Sequence, residues 1–153
     1  MRSLAAFLAL PGLAAFGLPP LIATFDPLRG EPRYFGMAII GFGIVLLLWC
    51  VRDFYVSGKG TLAPWDPPRH LVVIGLYRYV RNPMYIAVLT LITGWTMVLG
   101  SPYLAAYTLL LAIGFHARVL IHEEPWLSQQ FGDDWRRYSA SVNRWWPRFP
   151  RLK

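Results

Sequence analysis

In an otherwise apolar chain of 153 residues, the side chains able to do chemistry gather in two places. One is the segment 58–85, GKGTLAPWDPPRHLVVIGLYRYVRNPMY, rich in Pro, Gly, Tyr and Arg. The other is 116–127, HARVLIHEEPWL, which holds His116, Arg118, His122, Glu123 and Glu124. Two adjacent acids directly before Pro125-Trp126 stand where the chain leaves an apolar run. If one helix continues through them, His116 and Glu123 are seven residues apart and share a face. The plainer alternative is that His116 and Arg118 snorkel from the end of an apolar helix to water. The two polar places could converge on one pocket facing the cytoplasm.

Other motifs carry less. Ser57-Gly58-Lys59-Gly60-Thr61 lacks the glycine spacing and the strand-to-helix context of a phosphate loop. Gly41-Phe42-Gly43 lies inside an apolar run and reads as close helix packing. The three histidines have no zinc-ligand spacing, and Cys50, the single cysteine, has no partner for a disulfide or a Cys-based metal site. No metal is expected.

The elements that must position these groups belong to a membrane protein. Hydrophobic residues make up 56% and charged residues 15% of the chain, and the mean hydropathy is +0.40. A soluble domain carries about a quarter charged residues, so this chain has too few to cover its surface in water. The net charge of +7 comes from arginines interspersed with Trp, Pro and apolar runs. That pattern suits anionic headgroups and argues against nucleic acid.

Four stretches are candidate spanning helices: 4–25, interrupted by Pro11-Gly12 and Pro19-Pro20; 34–51; 84–99; and 102–121. Crossing the hydrocarbon takes about 20 residues. The uncharged Gly100-Ser101-Pro102 turn makes the third and fourth the arms of a helical hairpin. A cleaved signal peptide is the other reading of the first stretch, but no small-x-small site follows it. Lys and Arg concentrate in 52–81 and after 136, which places that side and both termini in the cytoplasm and the protein in the inner membrane. After Gly132-Asp133-Asp134, the residues Trp135, Tyr138, Val142 and Trp145 follow at helical spacing, up to Trp145-Trp146-Pro147. This reads as an interfacial helix with its rings at the headgroups. The expected fold is therefore all-α, an integral membrane bundle of one domain. Residues 1–52 supply the N-terminal spans and 53–153 the core that carries the chemistry. Small-residue faces at Gly36, Gly41 and Gly43 could support a homodimer.

At Gly75-Leu76-Tyr77-Arg78-Tyr79-Val80-Arg81-Asn82-Pro83-Met84-Tyr85 the sequence resembles the isoprenylcysteine carboxyl methyltransferases and their relatives, the phospholipid methyltransferases. Their G-x-Y-x-x-x-R-H-P-x-Y core is followed by a helical hairpin and an E-E-x-x-L-x-x-x-F-G-x-x-Y/W-x-x-Y tail. Here that tail reads Glu123-Glu124-Pro125-Trp126-Leu127, then Phe131-Gly132, Trp135 and Tyr138, so the likeness covers roughly 58–149. The resemblance implies that S-adenosyl-L-methionine binds from the cytoplasmic side. Its implied contacts are Arg69, His70, Leu71, Val72, Tyr77, Asn82, Pro83, Met84, Tyr85, Glu123 and Glu124. Tyrosine faces attract a sulfonium by about 0.5–2 kcal/mol each, and Arg118 is the implied catalytic residue, orienting an acidic acceptor.

Two departures stand out within the matched motifs. Asn82 replaces the usual histidine and cannot act as an acid or base near neutral pH. Arg118 lies five residues before Glu123, where the family arginine lies four before the paired acids. The N-terminal third shows no family motif. The implied acceptor is lipophilic or amphiphilic: an isoprenylated thioether peptide, a lipid headgroup amine or another small amphiphile. Two other functions fit the architecture. One is an NADPH-dependent reductase of the sterol or steroid type, with Arg78, Arg81, Arg136 and Arg137 available to a 2′-phosphate. The other is a non-catalytic membrane protein.

Overall fold

The computed structural model describes residues 8–58 and 70–148. It is all-helical among the described residues, apart from one isolated bridge between Val80 and Asn143. The first apolar stretch is wound as a π-helix over Leu8–Gly17 and tightens into helix α1 over Leu18–Thr24. The change falls at the Gly-Leu-Pro-Pro run, where prolines in the first turn of α1 give up no needed N–H. Helices α2 (Gly36–Gly58), α3 (Pro83–Leu99) and α4 (Pro102–Arg118) follow, and a π-helical turn over Val119–Glu123 leads into α5 (Glu124–Ser141).

Two of these helical paths are long and apolar enough to cross a bilayer. Gly36–Phe54 has mean hydropathy 2.0 over 19 residues, and the path beginning at Pro102 reaches 1.8. Gly12–Thr24 and Pro83–Leu99 are apolar but shorter. On α4 the side chains of Leu109 and Leu110 are 63% and 67% exposed. In water such a face would be a severe liability, whereas lipid solvates it. Within α3 the hydroxyls of Thr90, Thr93 and Thr96 donate to carbonyls four residues back, at 2.8, 2.8 and 2.9 Å. That satisfies them without water.

Helices α2 and α3 approach closely, because small residues face each other at the contact. A Cβ on Gly36 would lie 2.7 Å from the Gly94 carbonyl oxygen, and one on Gly43 would lie 2.8 Å from Leu91. The dimer face read from the sequence is thus largely used within the chain: Gly36 and Gly43 meet α3, and of the three only Gly41 is open. Leu91, Ile92, Ala87 and Val88 of α3 form the core with Ile40 and Leu47 of α2.

Each end of the bundle is tied differently. At one end Asp26 accepts hydrogen bonds from the Ser101 hydroxyl, from the Tyr103 N–H (2.9 Å) and from the Leu28 N–H (2.9 Å). Gly100, with φ 58°, closes α3 with an N–H bond back to Met97, and Ser101 caps α4. The opposite end gathers the last turns of α2, the first turn of α3, the end of α4 and all of α5. Here α5 breaks at Gly132 (φ 49°, ψ −115°), and a second helical piece starts at the place where the sequence suggested a helix start. Trp135, Tyr138 and Val142, however, pack inward against Leu71, Leu127 and Phe131 rather than outward to headgroups. Burying those rings on the 71–81 segment removes their apolar area from water and lipid alike. Trp146, 78% exposed, remains the outward ring.

Candidate functional site

The site is built where the first turn of α3 meets the end of α4. Pro83 occupies the first turn of α3, which fixes φ and starts the helix immediately after Asn82. Two residues later Tyr85 stacks on Phe115 of α4, with ring centroids 4.4 Å apart. Its hydroxyl donates to Glu123 Oε1, and Arg118 Nε donates to the same oxygen at 2.8 Å. Both bonds converge on Oε1, so Oε2 accepts none among the described residues. The Glu123 and Arg118 side chains are 29% and 48% exposed, which leaves the pair open to a ligand.

The π turn explains why this arrangement is possible. It adds one residue to a helical turn, so residues five apart meet as residues four apart do in an α-helix. The five-residue spacing of Arg118 and Glu123 is thereby absorbed. The same insertion destroys the seven-residue phase expected to bring His116 beside Glu123: His116 Nδ1 instead accepts from the Trp145 indole N–H at 3.0 Å.

Glu124 behaves differently from its neighbour. Arg144 grips it bidentately, with Nε and one Nη each at 2.7 Å, and Arg81 approaches at 3.1 Å. Burial alone would raise this carboxyl, but the Arg144 hydrogen bonds and the two positive charges outweigh it and hold it below the ordinary carboxylate value. Arg144 is raised by the same hydrogen bonds. Burial lowers Arg81, with Glu124 opposing that, and its guanidinium lies 5.5 Å from the Trp135 ring centroid. Glu124 is thus held by two arginines within the protein, whereas Glu123 keeps one carboxylate oxygen that accepts no hydrogen bond among the described residues.

The other residues singled out from the sequence divide. Asn82 donates its amide N–H to the Arg144 carbonyl at 3.2 Å, a bond that needs a fixed donor and no titratable ring. Val72 and Tyr77 are buried with Cys50, with Met84 packed against them, and the Tyr77 carbonyl accepts from the Tyr138 hydroxyl at 2.7 Å. Burial pushes both of these phenols upward. His70 and Leu71 line an open hollow of about 430 Å³, together with Val73, Phe131, Asp134 and Tyr138. That hollow contains none of Tyr85, Arg118 or Glu123, where the charged and hydrogen-bonding groups converge. Arg69 lies outside the described residues. No group of three or more His, Cys, Asp or Glu that could hold a metal ion occurs among the described residues.

The tail was missed by sequence reasoning. Arg144 and Trp145 sit in a Trp- and Arg-rich stretch that reads as a headgroup anchor, and only their long-range partners reveal a different place.

Gly75 secures the approach to this site. With φ 52°, it opens the short 3₁₀ turn Gly75–Arg78 that buries Tyr77. A Cβ there would fall 1.7 Å from Oδ2 of Asp53, a buried carboxylate oxygen with no hydrogen-bond partner among the described residues.

Fold and site together define a helical membrane protein that keeps its polar chemistry at one end of an apolar bundle. Residues 32–134 match the phospholipid methyltransferase family, and the chain belongs to that family, a group of methyltransferases associated with membranes and lipid substrates. It is also 31% identical over 62 residues to an uncharacterized protein of Haemophilus influenzae, an alignment covering 40% of this chain and 98% of that one. No solved structure matches it.

Proposed function

We propose that this protein is an S-adenosylmethionine-dependent methyltransferase, held in the inner membrane by four apolar helical segments with both termini in the cytoplasm, that methylates a lipophilic or amphiphilic acceptor. The observation that carries the reading is the Tyr85–Glu123–Arg118 cluster, set in a chain of the phospholipid methyltransferase family. The donor set fits this cofactor: an open carboxylate oxygen suits an ammonium or ribose hydroxyls, and aromatic faces suit a sulfonium. When bound, the cofactor supplies an electrophilic methyl group on sulfur.

The chain's own work is positioning. Tyr85 and Arg118 fix the Glu123 carboxylate from two directions, so it is oriented before a ligand arrives. Holding donor and acceptor in line at the end of α4 supplies much of the rate of a displacement reaction. The half-exposed Arg118 guanidinium gives an acidic group on the acceptor a counter-charge. The exposed apolar face of α4 leads to this end of the helix and suits delivery of the acceptor from lipid. Of the arginines a reductase would offer to a 2′-phosphate, Arg81 is engaged with Glu124, whereas Arg136 and Arg137 make only exposed surface pairs with Asp133 and Asp134, so the choice between the two cofactors falls to direct titration.

The test is calorimetric titration of the detergent-purified protein with S-adenosylhomocysteine and, separately, with NADPH. Saturable S-adenosylhomocysteine binding that disappears in Tyr85→Ala and in Glu123→Ala is the expected result. A folded wild type that binds NADPH, or neither ligand, overturns the reading.

A further inference from the structure

The chain does not end its contribution to the site at α5. After Ser141 it turns back and lies along the start of α3. The Arg81 N–H donates to the Asn143 carbonyl at 2.9 Å, and the Arg148 N–H donates to the Tyr79 carbonyl at 2.8 Å. Between those two points, Arg144 binds Asn82 through its carbonyl and Glu124 through its guanidinium. The next residue, Trp145, places its ring 6.5 Å from Tyr85 and bonds His116 at the end of α4. One short segment thus holds both polar regions at once: the turn before α3 and the acid pair after α4.

We propose that residues 142–148 form a strap that sets the site, with Arg144 as a positioning residue and Trp145 as a wall of the cofactor site over Tyr85. The polar partners of Arg144 are Glu124 and Asn82 rather than Tyr85 or Glu123. It acts by fixing Glu124, the immediate neighbour of Glu123, against Asn82, which stands three residues before Tyr85. The two ends of the Tyr85–Glu123 bond are therefore both referred to Arg144. Neutralising Glu124 also leaves one acid, not two, facing the ligand. Trp145 follows Arg144 directly, so the position of its ring depends on where Arg144 is held, and its indole N–H is bonded to His116 at the end of α4. The proposal rests on the methyltransferase reading for the identity of the ligand, and on the hydrogen bonds above for the strap itself.

Two measurements on the full-length protein test it, each on wild type, Arg144→Gln and Arg144→Lys. The first is the calorimetric dissociation constant for S-adenosylhomocysteine. Losing a bidentate charged contact that fixes the site weakens binding by about tenfold or more in Arg144→Gln. Arg144→Lys restores part of it, since an ammonium keeps the charge but not the fork. A tail that only adds stability would lower the thermal midpoint and leave that constant unchanged. The second uses no ligand: peptide-mapped nitration of tyrosines by tetranitromethane. Tyr85 nitration rises in Arg144→Gln as Trp145 leaves its ring, while Tyr34 and Tyr103, toward the other end of the bundle, keep their wild-type rates. Unchanged affinity in Arg144→Gln, or unchanged Tyr85 nitration, overturns the strap. If the wild type binds no S-adenosylhomocysteine, the methyl-donor reading falls, and nitration alone decides whether Arg144 holds the wall over Tyr85.

Discussion

Replacing Gly75 by alanine puts the packing of the site's foundation to a quantitative test. Two costs add. A residue with a Cβ at φ 52° loses about 1–2 kcal/mol in the left-handed region. The new methyl also lands 1.7 Å from Asp53 Oδ2, about half a normal contact distance, so the carboxylate must move. Asp53 is almost fully buried, and displacing it by overpacking costs about 1–3 kcal/mol more. The total is about 2–5 kcal/mol, enough to unfold a marginal protein. Asp53→Ala on its own behaves differently. Among the described residues one of its oxygens accepts no hydrogen bond, and the other meets Arg52, whose side chain is 71% exposed. Removing that carboxylate therefore costs little or stabilises.

In the Gly75→Ala, Asp53→Ala double variant the steric term vanishes and only the backbone term of about 1–2 kcal/mol remains. The assay is reversible unfolding in detergent, monitored by far-ultraviolet circular dichroism, for all four corners of the cycle. Additive effects, with the double variant no better than Gly75→Ala, would refute the proposed clash. A Gly75→Ala protein within about 0.5 kcal/mol of wild type would refute the backbone argument as well.

Acid sensitivity should trace to Glu124. Its carboxyl lies below the ordinary value in the folded protein, so the stability it contributes is fully present above its unfolded value and is lost as pH falls through the folded one. Glu124→Gln is expected to lower the midpoint near neutral pH and to flatten the acid limb of a melting-temperature profile below about pH 5; an acid limb parallel to wild type would reject this. At the other end of the bundle, Ser101→Ala removes the hydroxyl donated to Asp26 and the α4 cap. A loss of about 1–3 kcal/mol in stability is expected, with the S-adenosylhomocysteine dissociation constant unchanged. A parallel loss of affinity would show that the two ends are coupled.

The residues of the candidate site could be picked out by type because the relevant signals are local. Pro83 marks a helix start wherever it appears before an apolar run, and Glu123-Glu124 marks the end of one. The helical segments were legible for the same reason, since hydropathy needs no partner to be scored. What remained hidden depended on residues far apart in the chain. The two acids look equivalent in the sequence, yet Arg144, 20 residues further on, makes one structural and leaves the other open. The aromatic tail has the composition of a headgroup anchor, and nothing local distinguishes that from rings buried on residues 71–81.

By itself, then, the sequence determined the solvent, the helical class and the family resemblance, and it singled out the two polar segments. Composition and short motifs act through solvation and backbone preference, which are properties of a residue and its near neighbours. The tertiary structure decided helical phase and partnership. A single added residue in the π turn rotates everything after it by about 100°, which brings Glu123 to Arg118 and leaves His116 to the tail. Such a shift costs little locally, and it is selected only because Tyr85 and Arg118 on one side, and Arg81 and Arg144 on the other, are there to meet the two carboxylates.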